Sequence, residues 1–304
     1  MRYILGIDIG GTKTAIGLYS EGAELMEAAS FPSEPELGAE SLVERIGDTA
    51  RKLAKDNNVD MGDACYAGIA CPGPLDLKTG RIIYIATMGF RDVPIRDMIA
   101  DELGIPVYLQ NDANCAALAE ALRGEGKGFE NVTYITVSTG VGGGIVLNAN
   151  LLDGGASAAA EIGHICTERN GRACGCGKKG CLEQYASGTA IASIASEKLG
   201  REIDAKNVFA LARGGDSVCT QVVKQAADHL AFALGALWQI ADPDIVVLGG
   251  SVIKDFDVLK PLVFDALERY VQPMSTREIR IAVSKMGGEQ GMLGAALAAQ
   301  KHFE

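Results

Sequence analysis

The feature that most restricts the fold of this chain is a motif that occurs twice. Tyr3-Ile-Leu-Gly-Ile-Asp8 is a short apolar run, followed by Gly10-Gly11-Thr12-Lys13, and Thr14-Ala-Ile-Gly-Leu-Tyr19 resumes as a second apolar run. Far downstream, Thr133-Tyr-Ile-Thr-Val-Ser-Thr139 enters Gly140-Val-Gly142-Gly143-Gly144 and Ile145-Val-Leu147 leaves it. Each reads as strand, glycine turn, strand. Taken alone the first is compatible with a plain Gly-Gly hairpin. The repeat points instead to two similar lobes, each offering a loop of backbone N–H groups to one phosphate chain. A third run, Asp244-Ile-Val-Val-Leu-Gly249-Gly250-Ser251, is a buried-type strand stopping at a glycine pair, a turn that can lie flat against an adenine or ribose.

The first turn also carries polar chemistry. Thr12 supplies a hydroxyl and Lys13 an ammonium, both suited to phosphate, and Asp8 at the strand end can hold Mg²⁺ directly or through water. The Walker pattern Gly-x4-Gly-Lys-Ser/Thr is absent from the chain, which disfavours a P-loop fold. Further on, the strand Cys65–Ala70 breaks at Pro72-Gly73-Pro74, a stiff loop whose backbone can approach a ligand. The next strand, Pro106–Gln110, stops at Asn111-Asp112 directly before an alanine-rich helix from Ala113 to Arg123. A carboxylate at a strand's C-terminal end is where α/β folds place chemistry, yet Asp is also a common N-cap, and position alone favours the cap.

Between Glu161 and Glu183 the chain gathers metal ligands. Cys174, Cys176 and Cys181 supply three thiolates and His164 is one of 3 histidines. A Cys3His set matches the closed tetrahedral shell of structural Zn²⁺, against the alternative of unrelated thiols and a core histidine. The same stretch formally contains Gly175-x-Gly177-x-x-Gly180, a dinucleotide fingerprint. It lacks the preceding strand and following helix that such a fingerprint requires.

The rest reads as scaffold. Leu42, Ile46, Ala50 and Leu53 follow Ser41-Leu-Val-Glu44, a capping box opening a surface helix. Helices are predicted over Ile95–Leu103, from Ser187, over Val218–Ala241, Lys260–Val271 and Met292–His302, with a strand at Ile279–Val283. His229 and His302 read as surface or packing residues. With 304 residues and 48% hydrophobic content the chain can bury a large core. A net charge of −11 argues against nucleic acid as a partner. No apolar run approaches a membrane span, and the first strand begins too early for a signal peptide, so cytoplasm is the expected compartment. Five further cysteines, Cys65, Cys71, Cys115, Cys166 and Cys219, are expected to be reduced.

In this order, Asp8-x-Gly-Gly-Thr, Pro72-Gly-Pro, Asn111-Asp112, Ser138-Thr-Gly-x-Gly, Glu161-x-x-His164 and the cysteine loop with Leu182-Glu183 resemble the ROK family of sugar kinases and repressors. The resemblance implies an α/β, two-lobed actin-like ATPase (ribonuclease H-like) fold with ATP and sugar in the interdomain cleft. It is expected to divide into a smaller lobe of 1–112 plus 290–304 and a larger one of 113–289. It implies a glucokinase-like hexose kinase acting on the 6-hydroxyl. Alternatives are a kinase for fructose, allose, mannose or N-acetylmannosamine, or a sugar-sensing regulator without catalysis. By resemblance Asp112 is the general base, and Gly73, Asn111, Glu161, His164 and Glu183 form the sugar site. Asp8, Gly10, Gly11, Thr12, Lys13, Thr139, Gly140, Gly249 and Gly250 hold the nucleotide, with Mg²⁺ as its partner. A homodimer or dimer of dimers is expected. The repressors of this family add an N-terminal DNA-binding segment that the early first strand and acidic charge do not support.

Two departures from the family pattern stand out. Ile85-Ala86-Thr87-Met88 replaces a usual Pro-Asn-Leu run, and Ala160 stands where glycine is frequent. Because Glu161 and Glu183 flank the metal ligands, loss of zinc is expected to damage the sugar site more than the phosphate loops at Gly10 and Gly140.

Overall fold

The structure, a computed structural model, describes residues 2–271 and 278–304. Contacts divide the chain into two units. The first comprises Met1–Gly124, Asn150–Ala159 and Met286–Glu304; the second comprises Glu125–Ala149 and Ala160–Lys285.

In chain order the first unit supplies β1 (Tyr3–Ile9), β2 (Lys13–Ser20), β3 (Leu25–Pro32), α1 (Gly38–Asp56), β4 (Ala64–Cys71), β5 (Leu75–Asp76), β6 (Arg81–Ile85) and β7 (Phe90–Val93). It continues with α2 (Ile95–Leu103), β8 (Val107–Asn111) and α3 (Asp112–Arg123). The second unit opens with β9 (Val132–Val137) and β10 (Val141–Leu147), and β11 (Asn150–Leu151) returns to the first. Then come α4 (Glu183–Ala186), α5 (Gly188–Leu199), α6 (Ala205–Arg213), α7 (Ser217–Ala241), β12 (Ile245–Gly249), α8 (Phe256–Leu267) and β13 (Ile281–Val283). The closing helix, α9 (Gln290–Phe303), belongs to the first unit.

Both predicted hairpins form. In the first unit the order is β3-β2-β1-β4-β8, with β1 antiparallel to β2 and parallel to β4. In the second, β9 is antiparallel to β10 and parallel to β12, which is parallel to β13. A small antiparallel sheet, β5-β6-β7, follows the Pro72-Gly73-Pro74 loop. Each large sheet is thus a hairpin extended by parallel strands, as the repeated motif predicts, and the mixed α/β class is the one that the family resemblance implies.

Period-2 alternation along β1 decides where its side chains go. Leu5, Ile7 and Ile9 enter the core shared with α1 and α2, whereas Ile4, Gly6 and Asp8 face α9. On that second face the contact is backbone to backbone. A β-carbon on Gly6 would lie 2.1 Å from the Met292 carbonyl oxygen, and one on Gly68 of β4 would lie 1.8 Å from that of Ala295. A helix of small residues such as Gly291, Gly294, Ala295, Ala298 and Ala299 therefore seats directly on the sheet. On the other face each buried Leu or Ile of α1 contributes roughly 1.5–3 kcal/mol, with Leu42, Ile46 and Leu53 pointing inward.

Several boundaries differ from the expected ones. Helix α1 starts at Gly38, led in by a 3-10 turn at Pro35–Leu37, so Ser41 lies inside it and caps nothing. Helix α8 runs earlier than predicted, over Phe256–Leu267. The division between units falls after Gly124 rather than after 112, because α3 packs on α9, and Asn150–Ala159 also joins the first unit. Among the described residues no helix is long and apolar enough to cross a membrane.

Candidate active site

The first unit carries two neighbouring carboxylates. Asp8 ends against the first turn of α9, where a β-carbon on Gly291 would lie 2.3 Å from its Oδ2, so only glycine leaves room. A helix N-terminus favours a carboxylate. Burial nevertheless raises the Asp8 pKa to about 6, and the nearby Asp112 carboxylate adds to the rise while Lys13 opposes it. Burial also raises Asp112 above the ordinary carboxylate range. The buried thiols of Cys71 and Cys115, beside both acids, are pushed well up and stay protonated. An acid pair with too little compensating charge holds a proton unusually tightly and welcomes a cation.

The Gly10–Lys13 turn is built by hydrogen bonds. The Gly10 N–H donates to the Lys13 carbonyl at 3.1 Å, and a β-carbon on Gly10 would sit 2.9 Å from that oxygen. Ser33, fully buried, donates its hydroxyl to the Gly10 carbonyl at 2.5 Å, and its N–H donates to the Thr12 carbonyl at 2.9 Å. With the Ser33 proton committed, the Thr14 hydroxyl is the donor across their 2.9 Å separation. Thr12 and Lys13 remain exposed. Sequence reading missed Ser33, which carries no motif. It also passed over Thr87, whose Oγ1 lies 3.3 Å from where a Gly11 β-carbon would be.

At the end of β8 the question of the cap is answered by Asn111. Its Oδ1 accepts from the N–H groups of Ala113 at 3.0 Å and Asn114 at 3.2 Å. Asp112 is the first helical residue and is not the N-cap that position alone favoured. The Asn111 side-chain oxygen is thereby used; its amide hydrogen-bonds the Asp112 carboxylate, opposing the rise that burial causes there, and the amide nitrogen lies 3.7 Å from the β-carbon position of Gly73. Gly73 and Asn111 are close because β4 and β8 pair Cys71 with Asn111. Beneath them, buried Gln110 accepts from the Asn111 N–H at 2.8 Å and donates to Asp153 at 2.9 Å.

In the second unit His164, Cys174, Cys176 and Cys181 place one ligand atom each within 4.8 Å of one another. Cys176 and Cys181 sulfurs are 3.7 Å apart, and Cys174 Sγ is 3.7 Å from His164 Nδ1. A tetrahedron with metal–sulfur bonds of about 2.3 Å and a metal–nitrogen bond of about 2.0 Å requires about 3.8 Å and about 3.5 Å for these pairs. The donor set therefore fits a closed S₃N shell, with Nδ1 inward and Nε2 left for another partner. The Lys178 N–H beside the Cys176 sulfur lowers that thiol's pKa, favouring the thiolate a metal needs. Gly175–Gly180 is irregular chain with no strand before it, as its rejection as a dinucleotide motif required. His229 is buried, stacked on Tyr185 at 3.9 Å and 2.8 Å from the Thr167 hydroxyl, so it braces this loop on α7.

The loop's flanks meet the glycine turn of β9–β10. Glu183 accepts from the Val141 N–H at 3.0 Å, and a β-carbon on Gly140 would lie 2.5 Å from the same oxygen. The expectation that the metal frame and this turn lie apart is thus corrected. They are separated in sequence but joined by packing. Glu161 is exposed at the start of the short turn bearing His164, and Ala160 before it has φ +61°, the left-handed conformation that favours glycine.

Beside the turn lies a cavity of about 650 Å³, lined by Ser138, Thr139, Gly188, Lys206, Phe209 and Ser251 among others. Its size is that of a ligand pocket. Gly249 and Gly250 immediately precede Ser251 of its lining and pack against β9. A β-carbon on Gly249 would lie 2.4 Å from the Tyr134 hydroxyl, and Gly250 has φ +95°. Of the pocket's lining, sequence reading found Thr139 and missed Lys206 and Phe209, which lie on α6 with no recognisable motif. The predicted residues therefore gather in two sets. Asp8, Gly10, Gly11, Thr12, Lys13, Gly73, Asn111 and Asp112 lie in the first unit; Thr139, Gly140, Glu161, His164, the three cysteines, Glu183, Gly249 and Gly250 lie in the second.

Comparison with known proteins gives a consistent result. The ROK family model matches residues 4–302. A glucokinase of Halalkalibacterium halodurans is 34% identical, covering 96% of this chain and 93% of its own. The crystal structure of a ROK hexokinase from Thermus thermophilus superposes with a TM-score of 0.89 at 36% identity, over 97% of each chain. A ROK family glucokinase from Streptomyces griseus, solved with glucose and AMPPNP, gives 0.80 at 29% identity over 98% of this chain and 99% of its own. The fold is thus the two-domain architecture of the actin-like ATPases. The chain belongs to the ROK family.

Proposed function

We propose that this protein is an ATP-dependent hexose kinase of the glucokinase type, transferring the γ-phosphoryl group of ATP to a sugar hydroxyl, with the 6-hydroxyl of glucose as the first candidate. The observation that carries the reading is the Asp8–Asp112 pair at the ends of β1 and β8. Phosphoryl transfer needs positioning and charge stabilisation more than covalent chemistry. Asp112, its basicity raised by burial, accepts the proton of the attacking hydroxyl, a contribution of about 10²–10⁴-fold. The Asn111 amide offers its second N–H to the sugar, and Gly73 leaves space beside it. Asp8 is the group that would hold Mg²⁺, which would supply neutralisation of phosphate charge; burial and the neighbouring Asp112 carboxylate raise its pKa to about 6, and a bound cation would favour its ionised form. His164, Cys174, Cys176 and Cys181 would hold Zn²⁺, which supplies rigidity to the loop. The Gly10–Lys13 and Thr139–Gly140 turns are assigned to phosphate, and the cavity beside Ser138 to the nucleoside. The Streptomyces griseus relative was solved with glucose and AMPPNP, which supports a sugar and a nucleotide as the two ligands.

The sugar's identity is tested by measuring ADP release with glucose, mannose, fructose, allose, N-acetylglucosamine and N-acetylmannosamine. The panel is needed because Ala86 stands where the resemblance would place asparagine. Glucose is expected to be the best acceptor. Asp112→Asn is expected to abolish turnover while sugar still binds. Turnover within a few-fold of the unmodified protein would remove Asp112 from its role, and silence across the whole panel would end the kinase reading.

A further inference from the structure

The cysteine loop touches the β9–β10 turn at two points, one from each shoulder of the metal ligand set. Upstream, Gly163 stands one residue before His164. A β-carbon there would lie 2.0 Å from the Val141 carbonyl oxygen, so the two backbones are in direct contact. Downstream, Glu183 stands two residues after Cys181. Its Oε2 accepts from the Val141 N–H at 3.0 Å and fills the space under Gly140. The peptide groups of Val141 are thus gripped on both sides by residues whose positions the ligand set fixes. Ile162, in the same upstream shoulder, places its Cδ1 2.4 Å from where a Gly143 β-carbon would be, so the contact runs on along β10.

We propose that Glu183 is a positioning residue for nucleotide: it transmits the geometry of the metal-bound loop to the Gly140 turn, so that loading of the four-ligand site and affinity for nucleotide are coupled through this one carboxylate. The proposal rests on the assignment of that turn to phosphate. A turn must present its N–H groups in one arrangement to receive a phosphate chain. Holding the Val141 N–H against a carboxylate fixes which of the neighbouring groups stay free. With the metal absent, the loop loses its constraint, Glu183 is released, and the turn samples arrangements that receive phosphate poorly. The carboxylate's other oxygen keeps its capacity to accept from a sugar hydroxyl. Glu183 is therefore a point at which the two substrates can influence one another within a single unit.

The test uses the full chain with its metal content verified by elemental analysis. Hydrogen exchange of the Val141 amide is followed by NMR, and AMPPNP is titrated calorimetrically without sugar. Glu183→Ala is expected to lose protection at Val141 and to weaken AMPPNP roughly ten-fold or more, the loss of a charge-assisted bond. Glu183→Gln, whose amide oxygen still accepts from Val141, is expected to keep both near the values of the unmodified protein. Removing the metal with a chelator is expected to weaken AMPPNP in the unmodified protein and to have little further effect in Glu183→Ala, because the two perturbations act on one link. Unchanged Val141 protection or unchanged AMPPNP affinity in Glu183→Ala would overturn the proposal. So would metal removal that weakens AMPPNP equally in both proteins. If Val141 loses protection in Glu183→Ala but the unmodified protein binds no AMPPNP, the latch stands and the nucleotide assignment falls.

Discussion

Asp8→Asn is expected to make the ligand-free protein more stable and less active. Burial and the Asp112 carboxylate raise the Asp8 pKa from 3.8 to about 6. The folded state therefore holds this proton more tightly than the unfolded chain. Below the unfolded value both states are protonated and nothing is lost. As pH rises from 3.8 to about 6 the unfolded chain releases its proton first, and stability falls until the folded carboxyl also ionises. At about 1.4 kcal/mol per unit the full difference is near 3 kcal/mol. Sharing of the shift with Asp112 and partial exposure reduce this, so about 1–3 kcal/mol is expected. Asparagine keeps the shape beside Gly291 and removes the charge, so the variant should gain that amount at pH 8, and the gain should vanish toward pH 4. The assay is urea denaturation of both proteins without nucleotide or added magnesium, followed by far-UV circular dichroism. Circular dichroism is preferred because the only tryptophan, Trp238, reports on the second unit. ADP release by the variant should fall severely, since the group assigned to Mg²⁺ is gone. A variant less stable than the unmodified protein at pH 8, or a difference that does not change with pH, would refute the charge argument.

Ala160→Gly should raise the melting temperature, because Ala160 sits at φ +61° and a left-handed alanine costs about 1–2 kcal/mol. After glycine's greater unfolded-state entropy is subtracted, about 0.5–1 kcal/mol remains, and a drop in melting temperature would contradict it. Buried His229 has its pKa lowered by desolvation, with Asp228 and Glu168 opposing. Its stabilising contribution is complete above the unfolded value near 6.5 and is lost as pH falls, because the unfolded chain takes up the proton first. His229→Phe should remove that acid sensitivity, which runs opposite in sign to that of Asp8; an unchanged loss of stability between pH 7 and pH 5 would count against it.

What the sequence made legible were features carried by consecutive residues. Gly10–Lys13 and Thr139–Gly144 announce turns because glycine clusters between apolar runs have few other uses, and the Cys174/Cys176/Cys181 spacing announces a metal. Features made by distant residues were hidden. Ser33 supports the Gly10 turn only because β3 pairs with β2, and nothing about a serine following a proline signals it. The role of Glu183 toward Val141 depends on packing of the loop against β10. Asn111 and Asp112 both suit a cap by residue type, and only the backbone, extended at Asn111 and helical from Asp112, decides between them. The start of α1 was misplaced because a capping-box pattern inside a helix looks the same as one at its end.

The order of the chain has a consequence for biosynthesis. The second unit is complete once Lys285 has emerged from the ribosome, whereas the first, most of which precedes it, lacks Met286–Glu304 until that later segment has been made. Until α9 arrives, the glycines of β1 and β4 that receive its backbone face no partner, and Ile4, Tyr19 and Tyr66 lack the part of their packing that α9 supplies. The unit made first is therefore the last to close, and during that interval its bare sheet face is the surface for a chaperone to guard. A nonsense codon within the last helix would leave the second unit whole and the first unable to fold.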